Sequence, residues 1–178
     1  MRIDLLKPVE AMQPSMNIFY LHNNAQICAM YHCDKHVCKM IIESAQMLST
    51  AHRLIDGDKY ADSHNLYAKT HYNHPSAIWV RKSHKNYKWL YKLLSSLTDE
   101  YTVRYDKHHK TSQLLDALSK APDNIVNAKF TEPPQCMPDE YKNKNTITAY
   151  RNFYIGEKAR FAKWKCTEIP DWFLPEED

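Results

Sequence analysis

The sequence predicts a mainly α-helical fold: a single compact helical domain with long loops and at most a short N-terminal strand. Three observations carry that prediction. Apolar residues recur every three or four positions over about 34–56, 86–110 and 145–165, the spacing that gathers side chains on one face of a helix. Breakers punctuate these runs, with Gly57 after the first, Pro122 before the long connection and Pro170 near the end. The one strand-like run, MNIFYL from Met16, has no evident partner.

A chain of 178 residues, 43% hydrophobic and 25% charged, buries a core without help from disulfides or metal. One domain is expected over 16–178. It follows a leader, 1–15, whose two prolines and lack of period predict loose order, with Met16 as an alternative start.

The first helix should run from Asp34, as N-cap, to Asp56, with Gly57 as its left-handed C-cap. Residues 58–74 read as an irregular polar loop, and Pro75 opens a short helix through Trp79 and Arg81. From Asn86, the positions of Tyr87, Leu90, Leu94, Tyr101, Tyr105 and His108 share one face to about Lys110. Leu114, Leu115 and Leu118 suggest another short helix. Residues 122–142, with four prolines, form the long connection, and a last helix spans about Asn145 to Lys165, with Pro170 ending regular structure.

Composition excludes several functions. Gly57 and Gly156 are the sole glycines, too few for a phosphate-cradling P-loop or a dinucleotide turn. Five cysteines without a CxxC pattern argue against a disulfide framework and for a reducing cytoplasm. No apolar run reaches bilayer-spanning length, so no membrane partner is expected, and the N-terminus lacks the apolar stretch of a secretory signal. A formal charge of +3 permits a nucleic-acid partner without requiring one.

The most informative feature lies on the first helix. His36, Lys39, Glu43, Gln46, Thr50 and Arg53 follow one another at steps of three or four, forming a narrow polar line. Met40, Met47 and Leu54 flank it on one side and Cys38, Ile42 and Ala45 on the other. A charged line walled by apolar residues is expected to border a groove. There Lys39 and Glu43 would feel each other strongly and serve as the reactive pair, the lysine as amine nucleophile or as charge stabiliser. The competing reading is an ordinary i, i+4 pair on a partly exposed helix.

Two further clusters supply binding candidates. In THYNHPSAIWVRKSHKNYKWL, Asn73 and His74 either position substrate or cap the helix that Pro75 begins; His74 is also a catalytic candidate, Trp79 is core, and Arg81 suits a phosphate. Arg104 lies on the shoulder of an apolar stripe, so it should meet a carboxylate such as Glu43 or an anionic ligand; the alternative is a structural ion pair. His108 stands near the end of that stripe. In the last helix Tyr150, Arg151 and Lys158 interleave base and phosphate binders, although a solvated flank beside a core stripe has the same pattern. Gln46, Asn73, Arg81, Arg104, His108, Tyr150, Arg151 and Lys158 are thus the candidate substrate-binding residues.

His32 with His36 and His71 with His74 have metal-like spacing, but no HExxH accompanies them and the helix offers one Glu, so no metal is assigned. A nucleophilic pair of Cys33 or Cys38 with a histidine is weaker than the reading of these thiols as core. No cofactor is specified.

The runs CDKHVCKMIIESAQMLSTA, THYNHPSAIWVRKSHKNYKWL, CMPDEYK and AYRNFYIGEKARFAKWK resemble an uncharacterised family of small tailed-bacteriophage proteins, over nearly the whole chain after Met16. The pattern of the phage pyrimidine-dimer glycosylases is not seen in these motifs, and nothing is carried over from that group. The resemblance implies a setting, the cytoplasm of a phage host, in which small proteins act on DNA and nucleotides.

The expected function is therefore that of a phage-encoded enzyme acting on DNA or a nucleotide, by base modification or glycosidic-bond chemistry, as a transferase or hydrolase. Its partner would be DNA or a nucleotide phosphate. The rival is a non-enzymatic module that binds nucleic acid or a host protein, and an oligomeric form is compatible with either.

Overall fold

In the computed structural model, residues 16–174 are described, and the expected leader 1–15 lies outside them. Seven α-helices follow in order: α1 (Ala25–Tyr31), α2 (Asp34–Asp56), α3 (Asp58–Ser63), α4 (Pro75–Arg81), α5 (His84–Tyr105), α6 (Leu115–Ser119) and α7 (Thr146–Phe153). No strand occurs among the described residues. MNIFYL is a buried extended segment instead.

Helix α2 is the spine, packed against α3, α4 and α5, while α1 leans on α5. Its Val37, Met40, Ile41, Ala45, Met47 and Leu48 meet Leu90, Leu93, Leu94 and Leu97 of α5 in one core. Each large aliphatic side chain so buried contributes about 1.5–3 kcal/mol against remaining in water. Ile18 and Leu21 of the extended segment join that core. Between them Phe19 adopts a positive φ of 37°, and its ring stacks on His36 at 4.2 Å.

Several helix ends depart from expectation. The N-cap of α2 is Cys33; Asp34 lies inside the first turn, where its carboxylate binds Arg104 and the backbone N–H of Lys165. Residues 58–63 form α3 because Arg53 grips Asp58 and Asp62 at 3.0 and 2.7 Å, drawing that turn together. Capped by Ser83, α5 begins at His84, two residues before the expected start at Asn86, and Asp106, left-handed at φ 53°, ends it before His108. Helix α1 was not anticipated, although Asn24 supplies its cap by accepting from Ile27 N–H.

The last helix is much shorter than 145–165. It passes at Tyr154 into a wider π turn, Tyr154–Lys158, and helical structure then stops. Gly156 in that turn lies against the Tyr141 ring, and Tyr154 is buried with its hydroxyl among Cys33 and His36. Regular structure also resumes after Pro170, as a 3-10 turn over Asp171–Phe173.

Arg104 is a structural clamp and does not meet Glu43. Its Nε donates to Glu100 at 3.1 Å, its Nη1 to Asp34 and the His32 carbonyl at 3.1 and 2.7 Å, and its Nη2 to the Met30 carbonyl at 3.1 Å. A guanidinium 1% exposed needs such partners, because an unpaired buried charge is strongly destabilising. The clamp fastens the end of α1 and the start of α2 to the last turn of α5.

Candidate active site

A cleft of about 510 Å³ opens where the extended segment, α2, the start of α4, the Pro-rich connection and the end of α7 meet. Lys39 comes from α2, His74 from the cap of α4, and Phe153 and Lys158 from the far wall. Asn17 forms its floor. The Asn17 carboxamide accepts from Tyr150 Oη and from Ile18 N–H at 2.9 and 2.8 Å, and donates to the Cys136 carbonyl at 2.9 Å. Thus one buried side chain ties the N-terminal segment to the connection, and Tyr150, itself fully buried, braces it from behind.

Glu43 stands at the edge of this cleft. Its carboxylate lies 3.7 Å from Lys39 Nζ and accepts from the Asn17 backbone N–H at 3.4 Å. Burial, which disfavours the charged form, pushes its pKa up to about 7, despite the opposing pull of Lys39 and the Asn17 N–H. The side chains of Lys39 and Glu43 are 42% and 16% exposed, so the ammonium reaches toward solvent while the carboxylate is sheltered. A carboxyl group poised near neutrality can both donate and accept a proton under ordinary conditions.

The neighbouring groups have defined states. His74 Nδ1 accepts from Ser76 N–H at 3.1 Å, and burial lowers the ring's pKa below 6.5. A neutral ring with Nδ1 so occupied carries its proton on Nε2, a donor rather than a base. Lys158 Nζ sits 4.6 Å above the Phe153 ring, and burial followed by the nearby Lys39 lowers its pKa from 10.5. Lys142 adds a third cation to the lining, on the side of the connection.

The polar line of α2 divides in two. Its first half, at Lys39 and Glu43, borders the cleft. Its second half holds the loop after α3: Arg53 donates to the Tyr67 and Leu66 carbonyls at 2.8 and 3.0 Å, and Thr50 binds Thr70. His36 and Thr50 are buried, and His36, bonded to Tyr154 Oη at 2.6 Å, has its pKa pressed down to about 2 by burial. The expected apolar walls are incomplete, since Ile42 and Leu54 are 42% and 39% exposed.

Among the sequence candidates, Lys39, His74 and Lys158 line the cleft, and Glu43 and Tyr150 contact its lining. Gln46 is half-buried one turn beyond Glu43, and Asn73 is exposed beside His74. Arg81, Arg104, His108 and Arg151 are not in its lining. Arg151 instead donates to the Leu21 carbonyl at 3.1 Å and covers Trp172, and His108 is exposed beyond α5. The residues not foreseen are Asn17, Gln135, Cys136 and Lys142, which sit in an extended segment and a loop where no periodicity marks them.

A family model described as pyrimidine dimer DNA glycosylase matches residues 16–113, more than half of the chain. No curated protein and no solved structure matches. The family match corrects the expectation that no pyrimidine-dimer glycosylase pattern is present. The matched stretch runs from the extended segment through α5 and contains Asn17, Lys39, Glu43 and His74, a span over which no single short motif stands out.

Proposed function

The chain belongs to the pyrimidine dimer DNA glycosylase family, DNA-acting enzymes of glycosidic-bond chemistry, and from that premise we propose that it releases a damaged pyrimidine at the Lys39–Glu43 cleft. The observation that carries this reading is the Glu43 carboxyl group, sheltered, raised to about 7 and 3.7 Å from a lysine amine. Breaking the bond from C1′ to the base develops positive charge on the sugar. A carboxylate beside it stabilises that charge, and its basicity near neutrality lets it take a proton from the attacking group.

The attacking group in this proposal is Lys39. Its ammonium passes a proton to Glu43, and the neutral Nζ attacks C1′. The C1′–N bond breaks with its electron pair leaving on the base, which takes up the proton held by Glu43 and so restores the carboxylate, and an Nζ–C1′ bond forms. Nitrogen then expels the ring oxygen to give an imine that water hydrolyses. His74, as an Nε2–H donor, positions the departing base, with Gln46 and Asn73 at the margin, while Lys142 and Lys158 hold phosphates. The likeness of CDKHVCKMIIESAQMLSTA to tailed-phage proteins extends the proposal to a phage source and the host cytoplasm.

The test is base release from duplexes carrying a pyrimidine dimer, together with borohydride trapping of the imine. Wild type should release base and form a covalent adduct mapping to Lys39 by peptide mass. K39A should lose the adduct and turnover while keeping its fold, and E43Q should lose turnover. Turnover unchanged in E43Q removes the acid–base assignment. An adduct at another amine removes Lys39 as nucleophile.

A further inference from the structure

The cleft does not end at Lys158. The segment that follows, KARFAKWK over 158–165, carries Lys158, Arg160, Lys163 and Lys165 and no carboxylate. It lies outside the family-matched residues, 16–113. Asp34 fixes it to the start of α2: the Asp34 N–H donates to the Lys163 carbonyl at 2.7 Å, and the Asp34 carboxylate accepts from Lys165 N–H at 2.9 Å. Trp164, buried, donates to the Tyr31 carbonyl at 3.0 Å and anchors the middle of the segment.

These anchors use backbone and one aromatic ring, leaving the basic side chains outward. Arg160, Lys163 and Lys165 are exposed, as is Lys35 on the adjoining turn of α2, whose Nζ sits 4.8 Å over the Phe161 ring. Arg160 packs on the same ring at 5.8 Å. Among the described residues, none of Lys35, Arg160, Lys163 and Lys165 forms an ion pair with a carboxylate. Asp34 is engaged by Arg104, and Glu157 accepts from Tyr141 Oη at 3.1 Å. The result is a basic strip held rigidly, continuous with the cleft through Lys158.

We infer that Lys35, Arg160, Lys163 and Lys165 form a phosphate-tracking strip that grips the DNA backbone on one side of the reacting nucleotide. This inference rests on the reading of the cleft as a DNA glycosylase site. The strip and the reactive pair share α2, which sets their separation. Nine residues from Asp34 to Glu43 span about 13 Å of helix, equivalent to about four nucleotide steps at roughly 3.4 Å each. The strip therefore meets phosphates some three to five nucleotides from the site of base release, on a single flank. Phosphate contacts position the duplex without reading sequence, so damaged and undamaged DNA are gripped alike.

The test is the triple variant R160A/K163A/K165A, whose backbone anchors to Asp34 are retained, in equilibrium binding to a lesion duplex across a salt series. Three lost phosphate contacts should reduce the slope of log affinity against log salt by about 2.7, so that wild type loses about 40-fold more affinity than the variant between about 50 and 200 mM salt. Duplexes truncated to two nucleotides on one flank should weaken wild type on that flank alone and weaken the variant, which keeps only Lys35 of the strip, far less. Base release at saturating short duplex should be unchanged, and so should the melting temperature. An unaltered slope, or equal sensitivity of both proteins to truncation, overturns the strip even if wild type excises damaged bases. Failure of wild type to release any base strikes the glycosylase reading instead.

Discussion

Replacing Glu43 with Gln should make the protein more stable at alkaline pH. The carboxyl group's rise from 4.5 to about 7 corresponds to roughly 3 kcal/mol, at about 1.4 kcal/mol for each tenfold in proton affinity. The sign follows from the direction of the rise. Between these two values the folded protein holds a proton on Glu43 that the unfolded chain has released, so stability falls as pH climbs through the window. Below about 4.5 both states are protonated and Glu43 carries no penalty; above about 7 the sheltered carboxylate bears all of it. Gln keeps the size and the acceptor for the Asn17 N–H and never ionises. In urea denaturation, E43Q should match wild type near pH 4 and exceed it by up to about 3 kcal/mol at pH 8.5. The comparison between the two proteins cancels every other titrating group. A difference that is constant with pH, or that favours wild type at pH 8.5, would refute the claim that burial rather than Lys39 governs this carboxyl group. A site that is destabilising in its working ionisation state is one recognised signature of function placed above stability.

The other predictions concern the frame around the site. R104M strands the Asp34 and Glu100 carboxylates and two carbonyls, and should lower stability by about 3–5 kcal/mol, read as a fall in the urea midpoint at constant slope. G156A puts a methyl group 2.7 Å from Tyr141 Cζ; the ring must swing away, breaking its bond to Glu157, with a loss of about 1–3 kcal/mol. Because Tyr141 ends a 3-10 turn, Asp139–Tyr141, whose flanking residues Pro138 and Lys142 line the cleft, the same variant should raise KM for duplex more than it lowers kcat.

What was legible in the sequence was local. The 3.6-residue period exposed α2 and α5, Pro75 marked the start of α4, and the spacing of Lys39 and Glu43 placed them together on one face. What was hidden depended on distant partners. Helix α3 forms because Arg53, on the previous helix, gathers two aspartates. Helix α7 stops early although its apolar period continues, and the π turn that replaces it sets Gly156 against Tyr141 of the long connection. Half of the polar line on α2 serves to hold a loop, and periodicity does not distinguish a residue that faces a cleft from one that fastens a segment. Asn17 offered no pattern at all. Its importance comes from three hydrogen bonds, two of them to residues more than 100 positions away in the chain.

The Asn17 carboxamide joins the stretch matched by the family model to a part of the chain that lies outside it. On one side lie the extended segment and α2, inside the stretch the family shares; on the other lies the proline-rich wall, outside it. Such a seam lets the wall be recast without disturbing the reactive helix. Changes confined to 134–142 would then reshape the cleft while Asn17 keeps its hold on Ile18 and Glu43, the asparagine serving as the hinge pin between wall and helix.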